Sequence, residues 1–141
     1  MSTDENRAAT LRAMERFDAG DLEGYLELYG PSVKLYGYTP EPLDMDGLRS
    51  FYRDIVAAFS DLGLESHDEI TEGDKVVTRF TLTGRHTGDF MGIPPTGRGF
   101  SGDGITILRF ENGQCVERWA SFDFLGLLVQ LGAAEMPGQE I

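Results

Sequence analysis

Hydrophobic positions follow two periods along this chain, about 3.6 residues in the N-terminal half and 2 in the C-terminal half. Ser2 and Glu5 form an S-x-x-E capping box, in which hydroxyl and carboxylate serve the free amides of a helix start. Leu11, Met14 and Phe17 carry that helix as a stripe to Gly20. Asp21 predicts the cap of a short second helix with Leu22, Tyr25, Leu26 and Tyr29 on one face, stopped by Gly30-Pro31. "VKLYGY" fits a short strand and "TPEPLDMD" a loop. From Asp46 onward, Leu48, Phe51, Tyr52, Ile55 and Phe59 keep the spacing of one buried helix face.

After Phe59 the alternation is of strand type. "LESHDEITE" and "KVVTRFTLTGRHT" flank Gly73-Asp74 and read as a hairpin. "FSGDGITILRF" and "QCVERWASF" flank Asn112-Gly113, a type I′ signal because both turn residues tolerate positive φ. Leu125 to Leu131 is a last apolar run of helical length. Three N-terminal helices, about four antiparallel strands and a short C-terminal helix predict an α+β cone-shaped barrel, its curved sheet packed against the helices. A cone's natural ligand site is its interior. Residues 1–141 are expected to form a single domain, with 133–141 as a flexible tail.

Composition narrows the partners. Apolar residues make up 40% and aromatics 11%, which suits a packed core. No run approaches the roughly 18 apolar residues of a bilayer span, so a membrane is not expected as a partner. The polar N-terminus does not resemble a secretory signal, and a single cysteine excludes an internal disulfide; a cytoplasmic setting is expected. Twenty-four acids against twelve bases give a charge of −12, which repels a phosphate backbone and argues against nucleic acid.

Candidate chemistry gathers near the C-terminus. In "CVERWASFD", Glu117, Trp119 and Asp123 share one strand face if the strand extends that far, and Val116, Arg118, Ala120 and Phe122 the other. The Glu–Trp–Asp face is assigned to the pocket and the Val–Arg–Ala–Phe face to the back of the sheet, although alternation alone also permits the reverse. Asp123 then has two readings. In an apolar cavity a carboxyl loses water from its charged form and becomes a usable acid and base near neutrality. As the residue before "FLGLLVQLG", it would instead cap the last helix.

His86 ends a strand and opens "GRHTGDFMGIPPTGRG", a stretch stiffened by prolines and turned by glycines. It reads either as a proton shuttle or as a histidine bonded to backbone. Met91 and Ile93 offer apolar cover for a cavity mouth. Arg79 reads either as the partner of Glu117 inside the cone or as a solvated charge. Tyr25, Tyr29, Phe51 and Phe59 are candidate apolar walls for a flat ligand, and equally core. No metal site is expected, because His67 and His86 lack ligand spacing. No dinucleotide or phosphate-loop fingerprint occurs. Cys115 reads as a small core residue.

From His86 to Leu131 the chain resembles the SnoaL-like polyketide cyclase, or ester cyclase, family. The residues that carry the likeness are His86, Gly88, Phe90, Gly92, Pro94, Thr96, Gly97, Arg109, Phe110, Gly113, Glu117, Trp119, Asp123, Gln130 and Leu131. "AGDLEGYLELY" and "AAFSDL" extend it loosely towards the N-terminus, while Gln114-Cys115 departs from the usual Lys-Ile. The resemblance implies a cone of the nuclear-transport-factor kind, a homodimer packed through the sheet backs, and no cofactor or metal. It also implies intramolecular aldol cyclisation of a small hydrophobic carbonyl compound, with Asp123 as general acid/base. His86 or Trp119 would donate to the enolate oxygen. The alternatives are a non-catalytic binder of a small hydrophobic molecule, and an epoxide hydrolase-like enzyme using Glu117 with Arg79.

Overall fold

The computed structural model describes residues 2–138. Its elements are α1 (Thr3–Asp18), α2 (Leu22–Leu26), β1 (Tyr29–Tyr36), α3 (Met45–Ala58), β2 (Phe59–Glu72), β3 (Lys75–His86), β4 (Gly99–Glu111), β5 (Gln114–Phe122) and α4 (Phe124–Gln130). This is the expected α+β architecture, a five-stranded sheet with the helices on its inner face.

Local chemistry accounts for the boundaries. Ser2 Oγ accepts the Glu5 amide at 3.1 Å, and Asp21 and Asp44 accept the Gly24 and Gly47 amides at 2.9 and 2.8 Å. Each is a short polar side chain satisfying an amide that the first helical turn leaves free. Tyr29, expected on the face of the second helix, instead opens β1. Phe59, expected to end the third helix, opens β2, its ring directed into the core. The expected 133–141 tail lies in part outside the described residues.

The strands run in the order β1-β5-β4-β3-β2. Neighbours from β2 to β5 are antiparallel hairpins, while β1 joins the far edge parallel to β5, with Lys34 opposite Glu117 and Tyr36 opposite Trp119. The Asn112-Gly113 turn has positive φ at both residues, as its type requires.

One correction to the strand faces governs the site. On β4 the even-numbered residues Phe100 to Phe110 are buried and the odd-numbered Ser101 to Ile107 exposed. Leu108 lies opposite Arg118, Thr106 opposite Ala120 and Gly104 opposite Phe122. Residues paired across strands share a face, so Arg118, Ala120 and Phe122 turn inward and Glu117 and Trp119 outward. The assignment of the Glu–Trp face to the pocket is therefore reversed. Alternation fixed which residues travel together but not which set meets the helices.

Two apolar clusters frame the interior. The larger joins Phe17, Tyr25 and Leu48 of the helices to Leu35, Leu108 and Phe110 of the sheet. The smaller gathers Phe59, Phe90, Phe100, Leu127 and Leu131 where α4 and the 87–98 segment close over the strand ends. Gln130 ties α4 down, its amide taking the Ser101 N–H and donating to the Ser101 carbonyl at 2.8 and 3.0 Å.

Candidate active site

Between helices and sheet lies a chamber of about 720 Å³. Its walls are rich in aromatic rings, with Phe17 and Phe51 from the helices and Phe59, Phe80, Phe100 and Phe122 from the sheet. Such walls favour flat apolar ligands, and a few polar groups then decide orientation.

Arg118 dominates those polar groups. Its side chain enters from β5, and the residue is 8% exposed. Nη1 donates to Tyr25 Oη at 2.6 Å, to Tyr29 Oη, and more distantly to Tyr52 Oη at 3.4 Å. The guanidinium carbon lies 5.8 Å from the centroid of the Tyr38 ring. Among the described residues no carboxylate pairs with it. Burial pushes the Tyr25, Tyr29 and Tyr38 hydroxyls well above the ordinary tyrosine range, and the nearby guanidinium offsets only part of that. The tyrosines are thus neutral dipoles around a cation that stays charged.

Other lining residues are exposed and mark the mouth. Asp54 of α3, Asp89 and Met91 of the 87–98 segment, and Phe124 of α4 line it and are exposed. Phe90 and Ile93 bond each other across a tight turn whose central residues, Met91 and Gly92, have φ of 51° and 84°. A methionine held at positive φ places an apolar side chain, 76% exposed, at the rim.

The sequence-derived candidates divide between chamber and exterior. Tyr25, Phe51, Phe59 and Met91 line the chamber, and Tyr29 reaches it through Arg118. Trp119 lies on the outer face, 37% exposed and stacked on Tyr36 at 5.7 Å. Glu117 is outside as well, accepting from Arg109 Nε at 2.6 Å. Arg79 pairs with Asp68 at 2.8 Å in the open, because its strand position turns it outward opposite Ile105. The Arg79–Glu117 pair on which an epoxide hydrolase-like site depended is not formed.

His86 is fully buried but does not line the chamber. Its Nδ1 accepts the Thr96 amide at 3.2 Å, and its ring lies 5.5 Å from that of Phe59. That leaves the ring N–H on Nε2, which has no partner among the described residues. Cys115 is buried core, its thiol pushed up to about 12 by burial.

Asp123 is the N-cap of α4, with Oδ1 accepting the Gly126 amide at 2.9 Å. The residue is exposed and sits at the rim between Phe122 and Phe124, both of which line the chamber. The geometric reading in which it shares a pocket face with Glu117 and Trp119 does not hold, because β5 ends at Phe122. The carboxylates that do line the chamber, Asp54 and Asp89, were not singled out from the sequence. Nor was Arg118, whose signal was present: a lone cation alternating with Val116, Ala120 and Phe122.

Comparison with known proteins identifies the fold and lineage. A family model described as SnoaL-like polyketide cyclase matches residues 8–131. The aklanonic acid methyl ester cyclase AcmA of Streptomyces galilaeus is 29% identical over 137 residues, 91% of each chain. The nogalonic acid methyl ester cyclase of Streptomyces nogalater is 38% identical over 115 residues, 79% of this chain and 84% of that one. Among solved structures, AclR of Streptomyces galilaeus, proposed to be a hydroxylase, superposes with a TM-score of 0.88 at 31% identity, covering 95% of this chain and all of that one (100%). IdmH of Streptomyces antibioticus, proposed to be a polyketide cyclase, gives 0.78 at 32% identity, covering 90% and 98%. The chain belongs to the SnoaL-like polyketide cyclase family.

Proposed function

We propose that this protein closes a ring in a small hydrophobic carbonyl compound of the polyketide type by intramolecular aldol addition. The observation that carries the reading is the aromatic-walled chamber of about 720 Å³, with carboxylates at its mouth, in a chain whose relatives are named as methyl ester cyclases. A methylene between two carbonyls gives up its proton to a weak base, the enolate carbon attacks a second carbonyl, and the new alkoxide takes a proton back. No electrons are gained or lost, so the reaction calls for no redox cofactor. Stacked aromatic walls would hold the chain folded for attack, an orientation effect worth several kcal/mol.

The proton-transfer role is assigned to Asp123, which follows the Glu-x-Trp of the family pattern and sits between two lining residues. Asp54 and Asp89 are the competing bases. The outer sheet face supports a homodimer: Ile105, Ile107 and Trp119 are 49%, 36% and 37% exposed on one side of it. Ile105→Lys should then shift the elution volume towards the monomer.

The test is incubation with an aromatic β-keto methyl ester that carries a further ketone within reach of the acidic methylene, reading an isomeric product of unchanged mass. Asp123→Asn, Asp54→Asn and Asp89→Asn should each be assayed. General acid/base catalysis contributes about 10²–10⁴-fold, so the true base shows a loss of that order. A second reading, a non-catalytic binder, is favoured by the use of Asp123 as a cap. Tight binding of an ester recovered unchanged would establish it and sink the cyclase.

A further inference from the structure

The inner end of the chamber has more hydrogen-bond donors than acceptors. Tyr25, Tyr29 and Tyr52 share two hydrogen bonds among their three hydroxyls, Tyr25–Tyr29 and Tyr25–Tyr52. Arg118 has no acceptor atom, so at least one tyrosine O–H remains to donate elsewhere. Arg118 Nε and the Tyr38 and Thr106 hydroxyls are buried without a partner among the described residues. Thr106 lies one inward position from Leu108, the residue opposite Arg118, so it shares the inner sheet face with Arg118. Tyr38, Tyr52, Thr106 and Arg118 all line the chamber.

Structural duty alone does not explain this arrangement. Three hydroxyl dipoles solvate the guanidinium but do not neutralise it, and a buried cation without a counter-charge is costly. An apolar residue of similar length would pack against the same tyrosines without that cost. Asp54 and Asp89, the carboxylates that line the chamber, are at its exposed mouth. The chamber is therefore polarised: its lining cation is buried and its lining carboxylates are exposed.

We propose that Arg118, with Tyr52, Tyr38 and Thr106, forms a binding site for an oxygen anion on the ligand. The ligand enters with its anionic oxygen leading and leaves its neutral apolar end at the mouth, where Asp54 and Asp89 disfavour a second negative charge. The inference deepens the cyclase reading and rests on it for the ligand's carbon skeleton. The anion has two sources of the same chemistry: a carboxylate carried by the free ligand, or an enolate oxygen formed when the methylene loses its proton.

Binding to the wild-type protein separates the sources. Titrations compare 2-naphthoate with methyl 2-naphthoate, and 2-naphthol is followed by the absorbance of its anion. A carboxylate site binds the acid at least about tenfold more tightly than the ester, as a charge-assisted hydrogen bond predicts. A site for an oxyanion made in turnover binds acid and ester alike, but holds 2-naphthol as its anion at a pH where the free compound is neutral. If the wild-type protein shows neither of these two preferences, the proposal is overturned.

Variants place the effect on the residue. Arg118→Met should erase the anion preference, leave ester affinity within about threefold, and melt no lower than wild type. Arg118→Lys should keep part of the preference, having the charge without the planar fork. An anion preference that survives in folded Arg118→Met also overturns the proposal. If Arg118→Met does not fold, the wild-type comparison still decides. Ring closure without any anion preference sinks this inference alone, whereas an anion preference without ring closure sinks the cyclase alone.

Discussion

The tip of the Phe122 ring lies over Gly102, so close that a Cβ there would stand 2.4 Å from Cζ. Phe80 covers Gly104 in the same way at 2.5 Å, and the two rings run nearly parallel, 13° apart with centroids at 6.4 Å. The bare backbone of β4 lets both rings recline on the sheet and leaves the chamber open above them. Gly102→Ala should lift Phe122 into the chamber. Destabilisation of about 1–3 kcal/mol is expected from overpacking, together with weaker binding of the naphthyl probes. A melting temperature and probe affinity equal to wild type would refute the packing.

Asp123 admits a clean separation of cap from catalyst. Asparagine caps a helix about as well as aspartate, whereas alanine loses the cap at about 1 kcal/mol. Asp123→Asn should keep the melting temperature and lose turnover, while Asp123→Ala loses both. Unimpaired turnover in the asparagine variant would move the proton-transfer role to Asp54 or Asp89.

Alkaline pH should unfold the protein by a predictable route. Tyr25, Tyr29 and Tyr38 are raised above their ordinary value of 10.0, and Cys115 from 9.0 to about 12, all first by burial. The folded protein therefore holds protons that the unfolded chain releases. Stability falls as pH climbs from 9 towards 12 for Cys115 and above 10 for the tyrosines. Tyrosinate absorbance should rise together with loss of circular dichroism. Full tyrosine titration in a still-folded protein would contradict the buried cluster. Cys115 should likewise resist thiol reagents near neutrality until the chain unfolds.

His86 is expected to act on the loop it anchors. His86→Ala removes the acceptor of the Thr96 amide and opens a void, a loss of about 2–4 kcal/mol. Turnover per folded molecule should change little, since the ring does not line the chamber. A normal melting temperature with abolished turnover would reinstate the proton shuttle.

Trp119 and Glu117 should be silent towards chamber ligands. Trp119→Phe and Glu117→Gln are expected to leave naphthyl affinities unchanged, because both side chains are on the outer sheet face. A tenfold change in either would place them inside.

Much of the fold was written in local pattern. Caps at Ser2 and Asp21, the apolar stripe from Leu48 to Ile55, and the Asn112-Gly113 turn each carry their geometry within a few residues. The site was less legible, because it depends on register between distant strands. Whether Arg118 or Trp119 meets the helices is settled by the pairing of Leu108 with Arg118, which no local pattern encodes. Tyr29 and Phe59 were misplaced at element ends, where apolar aromatics suit a helix face and a strand start equally.

The tyrosines beside Arg118 lie far from it along the chain: Tyr25 is 93 residues away and Tyr29 89. They meet because β1 lies parallel to β5, a pairing between the early chain and the last strand. Contacts of such span close late, after the intervening hairpins have shortened the effective loop. An anion titrated into a refolding reaction would thus be recognised only once both ends of the chain had come together. Occupancy of the proposed anion site would then report the arrival of α2, α3 and β1 at β5, and would stay silent while the separate hairpins form.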